Sequence, residues 1–249
     1  MYSAEYLYAM ITMLFTPLER VFMPPEKSDL TQSKSVQDFL KAVYSLQQGG
    51  ERVSTNALAE GLAVAAPSVT DMAQRLVTAG LIDYERYKGV LLTHAGEAVA
   101  LKMIRRHRLI ELYLVKELGY TLVEVHAEAE KVEHAVSDHF IEALAAKLGD
   151  PELDPHGEPI PSPDGTIINR EITPLVEWPL NTPAVVSRIK ADDPEMLQHI
   201  LERGFKLQAH VEILSRDPFD GPVMAMVDGK MRIVGHQVAA CIMLEGESA

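Results

Sequence analysis

Residues 125–140, VHAEAEKVEHAVSDHF, set three histidines among carboxylates in a stretch whose small and aliphatic residues favour a helix. On a helix turning about 100° per residue, His126, Glu130, Glu133 and His134 fall within an arc of about 100°. His107 and Glu111, four residues apart on a preceding helical stretch, also share one face. Imidazole nitrogens and carboxylate oxygens facing each other across two helices form a mixed donor set for first-row divalent cations, with the carboxylates favouring the harder ions. A solvated stripe would account for one such pair but poorly for six residues on adjacent helices. Glu128 and His139 lie off the arc and are read as surface residues.

The elements that must carry these residues follow from the hydrophobic pattern. SVQDFLKAVYSLQQ (35–48) reads as one amphipathic helix with Ser35 as its N-cap, stopped at Gly49-Gly50. VSTNALAEGL is a short helix capped by Ser54 or Thr55. After the brief connection AVAA comes PSVTDMAQRLVTAG, a helix with Pro67 in its first turn and Gly80 at its stop. Two helices joined so tightly form a helix-turn-helix. LIDYERYKGVLLT then alternates on either side of a Lys88-Gly89 turn, a small two-stranded wing. His94 to Leu118 is one long helix ended by Gly119, with more apolar positions than one solvent-facing helix needs. The surplus predicts burial against a second copy of the chain. The 125–140 stretch continues as a further helix, with Ser137 and Asp138 at a break or cap before HFIEALAAKLG. Residues 149–165 are dense in Pro, Gly and acids and read as a linker or an ordered loop. Beyond them PAVVSRIK, FKLQAHVEILS, PVMAMVDG and KMRIVGHQVAACIML are β-type runs around one helical insert, DPEMLQHILERG, as in a small β-barrel.

The chain has 249 residues, 47% hydrophobic and 24% charged, which suits a folded protein of two or three domains. Its one cysteine, Cys241, excludes an intramolecular disulfide or a cysteine-cluster metal site and fits a reducing cytoplasm. The net charge of −13 argues against nucleic acid as a partner, but the acidity is concentrated beyond residue 150, and residues 30–94 are neutral. The apolar N-terminus MYSAEYLYAMITMLF lacks a basic leader region and is too short to span a bilayer. It reads as a short helix ending before Pro17 or Pro24-Pro25, or as the product of a start assigned too far upstream.

From about Ser35 to Pro161 the chain resembles the diphtheria toxin repressor family of metal-dependent (iron or manganese) transcriptional regulators. The resemblance is carried by RRHRLIE (105–111), VHAEAEKVEH (125–134) and PHGEPIP (155–161), in that order behind a winged helix. The C-terminal β-module resembles the family's SH3-like domain more weakly. The implied fold is mainly α with small β: a winged helix-turn-helix at 35–94 after an extension at 1–34, a helical metal-binding and dimerisation domain at 95–150, a linker at 151–183 and an SH3-like barrel at 184–249. By position, the resemblance implies a primary metal site of Asp38, Glu130, Glu133 and His134 and an ancillary site of His107, Glu111 and His126. His107 assists the primary cluster in the manganese-type branch, which leaves its allocation open. Asp192 or Asp193 could complete the ancillary site.

Iron-responsive members place methionine and cysteine where this chain has Asp38 and Glu130; hard oxygen donors at both positions favour Mn(II) over Fe(II). Against this, the manganese-type branch usually carries another acid at the position of Lys41 and lacks both the C-terminal domain and a histidine matching His126. The implied function is non-enzymatic. A cytoplasmic homodimer, not bound to membrane, would bind palindromic double-stranded DNA operators when loaded with metal and control metal-ion homeostasis genes, repressing uptake. Ser68, Thr70, Asp71 and Gln74 would face the major groove, with Arg75, Arg52, Arg86 and Lys88 available for phosphates. Asp71 either accepts from a cytosine amino group or, preferably, caps the recognition helix. Rival readings are a helical two-metal hydrolase or oxidase and a metal-independent winged-helix regulator; the first lacks HExxH and paired Glu-x-x-His motifs.

Overall fold

A computed structural model of the chain describes residues 30–47, 50–191 and 193–246. The N-terminal apolar segment, Gly49 and Asp192, each singled out above, lie outside these residues. Helix α1 (Lys34–Leu46) buries Val36, Phe39, Leu40 and Val43 on one face. Its N-cap is Ser33, so Ser35 lies inside the first turn and does not cap it. Helices α2 (Thr55–Gly61) and α3 (Ala66–Thr78) form the helix-turn-helix. Ser54 caps α2 by accepting the Ala57 N–H, and α3 starts with proline in its first turn. Strands β1 (Ile82–Glu85) and β2 (Gly89–Leu92) pair antiparallel as the wing. These elements share one core, in which Leu58, Leu76 and Val90 are fully buried.

The long helix α4 (His94–Leu118) begins at Thr93, whose side chain accepts the Gly96 N–H, and ends at Gly119 in the left-handed conformation, φ 73°. Its apolar surplus is consumed within the chain, contrary to the expectation that a second copy must cover it. Met103, Ile104, Leu109, Ile110, Leu112 and Leu114 are all buried, leaving Leu118 as its one large exposed apolar residue. Helices α5 (Leu122–Val132) and α6 (Asp138–Lys147) pack on α4. A capping box between Thr121 and Glu124 opens α5, and Ser137 caps α6. The 125–140 stretch thus has the expected break at Ser137, and α5 already ends at Val132, so a turn separates the two helices.

The Pro- and Gly-rich stretch after α6 is an ordered loop. Leu153 bridges Pro159, Ile160 is buried, and the Ile189 N–H donates to the His156 carbonyl. At Gly157, φ is +85° and a Cβ would stand 2.1 Å from the Ser187 carbonyl oxygen, so the close approach of loop to sheet requires glycine. The C-terminal module contains strands β3 (Thr173–Pro174), β4 (Pro183–Ile189), β5 (His210–Arg216), β6 (Val223–Val227), β7 (Lys230–Val234) and β8 (Ile242–Gly246). They form one antiparallel sheet of order β3-β8-β4-β5-β6-β7. Helix α7 (Pro194–Glu202) is the expected insert. Helix α8 (His236–Ala240) breaks what the sequence pattern presented as one β-type run. Leu122 and Val123 of α5 pack on this sheet's core, which joins the module to the helical body. Replacement of Gly157 by alanine is expected to lower the melting temperature, at a cost of about 1–3 kcal/mol, because both φ and the Ser187 contact oppose a Cβ. Chemical denaturation of the two proteins measures it.

Candidate metal centre

Two clusters of metal-ligating side chains lie where α1, α4 and α5 meet. In one, ligand atoms of Asp38, Glu130, Glu133 and His134 lie within 4.8 Å of one another, and in the other so do those of His107, Glu111 and His126. The helical arc that grouped His126 with Glu130, Glu133 and His134 is therefore divided between two places. His107 stands between them, using one ring nitrogen on each side. Its Nδ1 is 2.5 Å from Glu133 Oε2, and its Nε2 is 2.9 Å from Glu111 Oε1 and 3.0 Å from His126 Nδ1. His107 thus touches residues of both clusters.

The electrostatics follow from burial competing with these contacts. Burial opposes the His107 imidazolium, but its hydrogen bonds to Glu111 and Glu133 outweigh that and push its pKa up to about 9. Burial also opposes the Glu111 carboxylate, yet hydrogen bonds from His107 and His126 hold its pKa well below the usual range. Glu133, with no exposed surface, is likewise lowered against burial by His107 and Lys41. Asp38 moves the other way, raised chiefly by burial.

On the Asp38 side the donors are arranged for a cation. His134 Nδ1 is 2.7 Å from Gln37 Oε1, and the Gln37 amide is oriented by donating from Nε2 to the Thr31 carbonyl at 2.8 Å. Gln37 therefore presents its oxygen, and the ring proton belongs on Nδ1. The other ring nitrogen, Nε2, is buried and makes no hydrogen bond. Yet it faces Asp38 Oδ1 at 2.9 Å and Glu133 Oε1 at 3.3 Å. A buried imidazole nitrogen converging on carboxylate oxygens without a hydrogen bond is a mixed nitrogen and oxygen donor set of the kind that holds a divalent ion, so these residues fit a bound metal.

The arginines of the RRHR stretch build the frame. Arg106 donates to the carbonyls of Glu133 (3.2 Å) and Val136 (3.0 Å) and pairs with Asp138, fixing the turn that carries Glu133 and His134. Arg105 donates to the Pro161 carbonyl at 3.0 Å, and Arg108 donates to the Pro159 carbonyl and to Glu158, pinning the 155–161 loop on α4. That loop brings two more titratable groups toward the ancillary cluster. His156 is pulled down by burial, with Glu111 acting against it and His126 and His107 adding to it. Asp154 is pushed up to about 7 by burial and by Glu111, although it accepts the N–H groups of His156 and Glu158. Neither was singled out from sequence, although both flank Pro155 in the loop that carries the resemblance. Asp193 instead caps α7 through the Glu195 N–H at 2.8 Å.

In the reading head, Ser68, Asp71, Gln74 and Arg75 are exposed on α3, and Thr70 is half-buried with its hydroxyl donating to the Ala66 carbonyl. Asp71 does not cap α3, whose N-cap is Ala65 with no side-chain bond; the helix begins too far upstream for Asp71 to reach its free N–H groups. Arg52 pairs with Asp83 and with Glu85 (2.8 Å), and Lys88 with Glu85 (2.6 Å), whereas Arg86 lies over the Tyr87 ring.

Comparison with known proteins agrees with this architecture. Residues 30–90 match the iron-dependent repressor N-terminal DNA-binding domain, and residues 93–162 match the metal-binding and dimerisation domain of the same repressors. The chain belongs to the diphtheria toxin repressor family. Residues 173–246 match the FeoA domain, so the repressor fold here ends in an SH3-like module. The iron-dependent repressor IdeR of Mycobacterium leprae is 29% identical over 220 residues, 83% of this chain and 95% of the relative. A solved manganese-dependent transcriptional repressor in complex with manganese is 38% identical, with TM-score 0.79 over 85% of this chain and 99% of that one. ScaR with bound zinc is 32% identical, with TM-score 0.73 over the same shares, 85% and 99%. This family member is thus a metal-dependent DNA-binding repressor, and among the described residues no helix is long and apolar enough to cross a membrane.

Two expectations follow. Gln37→Leu removes the group that orients His134 and is expected to weaken Mn(II) binding by about 10- to 100-fold, read by calorimetric titration. Asp154 has a folded pKa above its unfolded value, so its ionisation costs stability progressively as pH rises from about 4 to about 7 and fully above that. Asp154→Asn should therefore raise the melting temperature of the metal-free protein at about pH 8 and leave it nearly unchanged at about pH 4, measured by calorimetry.

Proposed function

We propose that this repressor is a cytoplasmic, homodimeric, manganese-preferring switch that grips palindromic operators of metal-ion homeostasis genes when Asp38, Glu130, Glu133 and His134 are loaded, and so represses metal uptake. His107, Glu111 and His126 form its ancillary site. The observation that carries this reading is the bare His134 Nε2 facing Asp38 and Glu133, because Asp38 belongs to α1, which leads into the reading head, while His134 and Glu133 belong to the helical body. A bound divalent ion supplies the positive charge that holds these two parts at one fixed separation. Asp38 then transmits the pose of α5 to α1, and α1 sets the pose of α3 through the core they share with Leu58 and Leu76. Two copies must place their α3 helices in half-sites about one helical turn apart, so a small change of pose alters affinity.

Manganese is preferred over iron in this reading because Asp38, Glu130 and Glu133 are all hard oxygen donors and no sulfur ligand is present in the set. Ser68, Asp71 and Gln74 contact base edges, with Thr70 at the margin. Arg75 and Arg86 are the phosphate contacts least engaged by acids, whereas Arg52 and Lys88 must first leave Asp83 and Glu85. Binding is therefore expected to depend only shallowly on salt.

A gel shift on the palindrome upstream of a metal-uptake gene tests the reading, run with chelator, Mn(II) and Fe(II) in turn. Mn(II) is expected to tighten binding by roughly 5- to 150-fold, the usual range of such couplings, and more than Fe(II) does. Asp38→Ala and Glu130→Ala should remove the gain. Equal affinity in chelator and in Mn(II) would end the metal-switch reading.

A further inference from the structure

The acid cluster already holds a positive charge of its own. Lys41 follows Asp38 by three residues on α1 and so shares its face. Its Nζ donates to Glu130 Oε1 at 2.6 Å and to Glu133 Oε1 at 3.0 Å, and stands 3.3 Å from His107 Nδ1. The Lys41 side chain is only 18% exposed, so this is an inward-turned ammonium and not a surface lysine resting on a neighbour. Glu133, fully buried, thus lies between two lobes. On one side it joins Asp38 around the bare Nε2 of His134; on the other it joins Glu130 and His107 around Lys41.

The two lobes differ in what they lack. On the His134 side the buried Nε2 faces Asp38 Oδ1 and Glu133 Oε1, of which only the Glu133 oxygen also accepts from Lys41, whereas in the Lys41 lobe both carboxylates accept from the ammonium. An ammonium neutralises these acids at hydrogen-bonding distance, near 2.8 Å, but cannot draw them to the roughly 2.1–2.2 Å typical of metal–oxygen bonds, and it is covalently tethered to α1. We propose that Lys41 is an internal cation that stays on the Glu130–Glu133–His107 lobe and restricts the acid cluster to one divalent ion, held by Asp38 and His134 together with the Glu130 and Glu133 carboxylates that the ion shares with Lys41. This rests on the metal-switch reading above and adds a stoichiometry to it. It also assigns Lys41 a part in the metal-free protein, where it holds α1 against α5 through Glu130 and Glu133.

The test is Mn(II) binding to the full-length protein by equilibrium dialysis, with electron paramagnetic resonance of the free ion, for wild type, Lys41→Met, Lys41→Glu and Asp38→Ala. Thermal melts of each metal-free protein report folding. Lys41→Glu is expected to bind one more ion per chain than wild type. Lys41→Met is expected to bind its cluster ion at least tenfold more tightly, and its metal-free form to melt below wild type. Folded Lys41 variants with wild-type stoichiometry and affinity would overturn the internal-cation proposal and leave the switch reading standing. Mn(II) binding that Asp38→Ala leaves unchanged would instead remove the switch reading itself. Should the variants not fold, manganese anomalous maps of wild-type crystals decide. One ion beside Asp38 with Lys41 still on Glu130 is the expected result; two ions with Lys41 turned to solvent would overturn it.

Discussion

Everything in the helical body is arranged around mutual repulsion among carboxylates that the fold forces together. Ligand oxygens of Asp38, Glu130 and Glu133 lie within 4.8 Å of one another. At an effective dielectric constant of about 20, two unit charges at that separation repel by about 3 kcal/mol, less where Asp38 and Glu130 still touch water. Such a group persists only if positive charge is placed among the acids. His107 supplies some by remaining protonated to about pH 9, its burial penalty outweighed by Glu111 and Glu133. Lys41 supplies more. Neither contacts the pair of Asp38 Oδ1 and His134 Nε2, and this is where the arrangement calls for a cation from outside the chain.

The same constraint explains the role of the arginines in RRHRLIE. A cluster whose members repel must have its backbone held by something other than the cluster. Arg106 holds the turn after α5 by its last carbonyls, and Arg105 and Arg108 fasten the 155–161 loop to α4. The ligand positions are thereby fixed by hydrogen bonds to main chain, which do not depend on whether the side-chain cluster is neutralised. The part left to respond is α1, which meets the cluster through Asp38, Gln37 and Lys41 side chains alone. Metal dependence can therefore reside in the relation of α1 to α5 without melting either helix.

The legible features were those that need only one element at a time. Helix spacing pointed to histidines and acids on shared faces, glycines and caps marked the ends of α2 and α4, and alternation marked the wing. Cross-helix partners were not legible. Gln37 and Lys41 share the face of Asp38 on α1, but nothing in a single helix says that Gln37 meets His134 or that Lys41 meets Glu130 and Glu133. Lys41 stood out only as a missing acid, a departure whose physical consequence needed the opposing helix to be seen. The helical arc failed in an instructive way: it grouped His126 with His134 because it counted rotation but not rise, and the two residues end up on opposite sides of His107. The apolar surplus of α4 misled for a related reason, since α1, α5, α6 and a loop more than forty residues downstream cover it.

Charge economy in the reading head connects these points to affinity. The chain carries a net −13, and in the reading head Arg52 and Lys88 are engaged by the wing acids Asp83 and Glu85. Unspecific attraction to phosphate, which grows with the number of free cations, is correspondingly small. A strongly basic head would bind DNA in many poses and blunt any control of pose. With little attraction to fall back on, the proposed operator binding would rest on α3 meeting the groove correctly in both half-sites at once. A shift of α1 that costs a few kcal/mol would then change occupancy by more than tenfold, which is the leverage that the proposed metal switch needs.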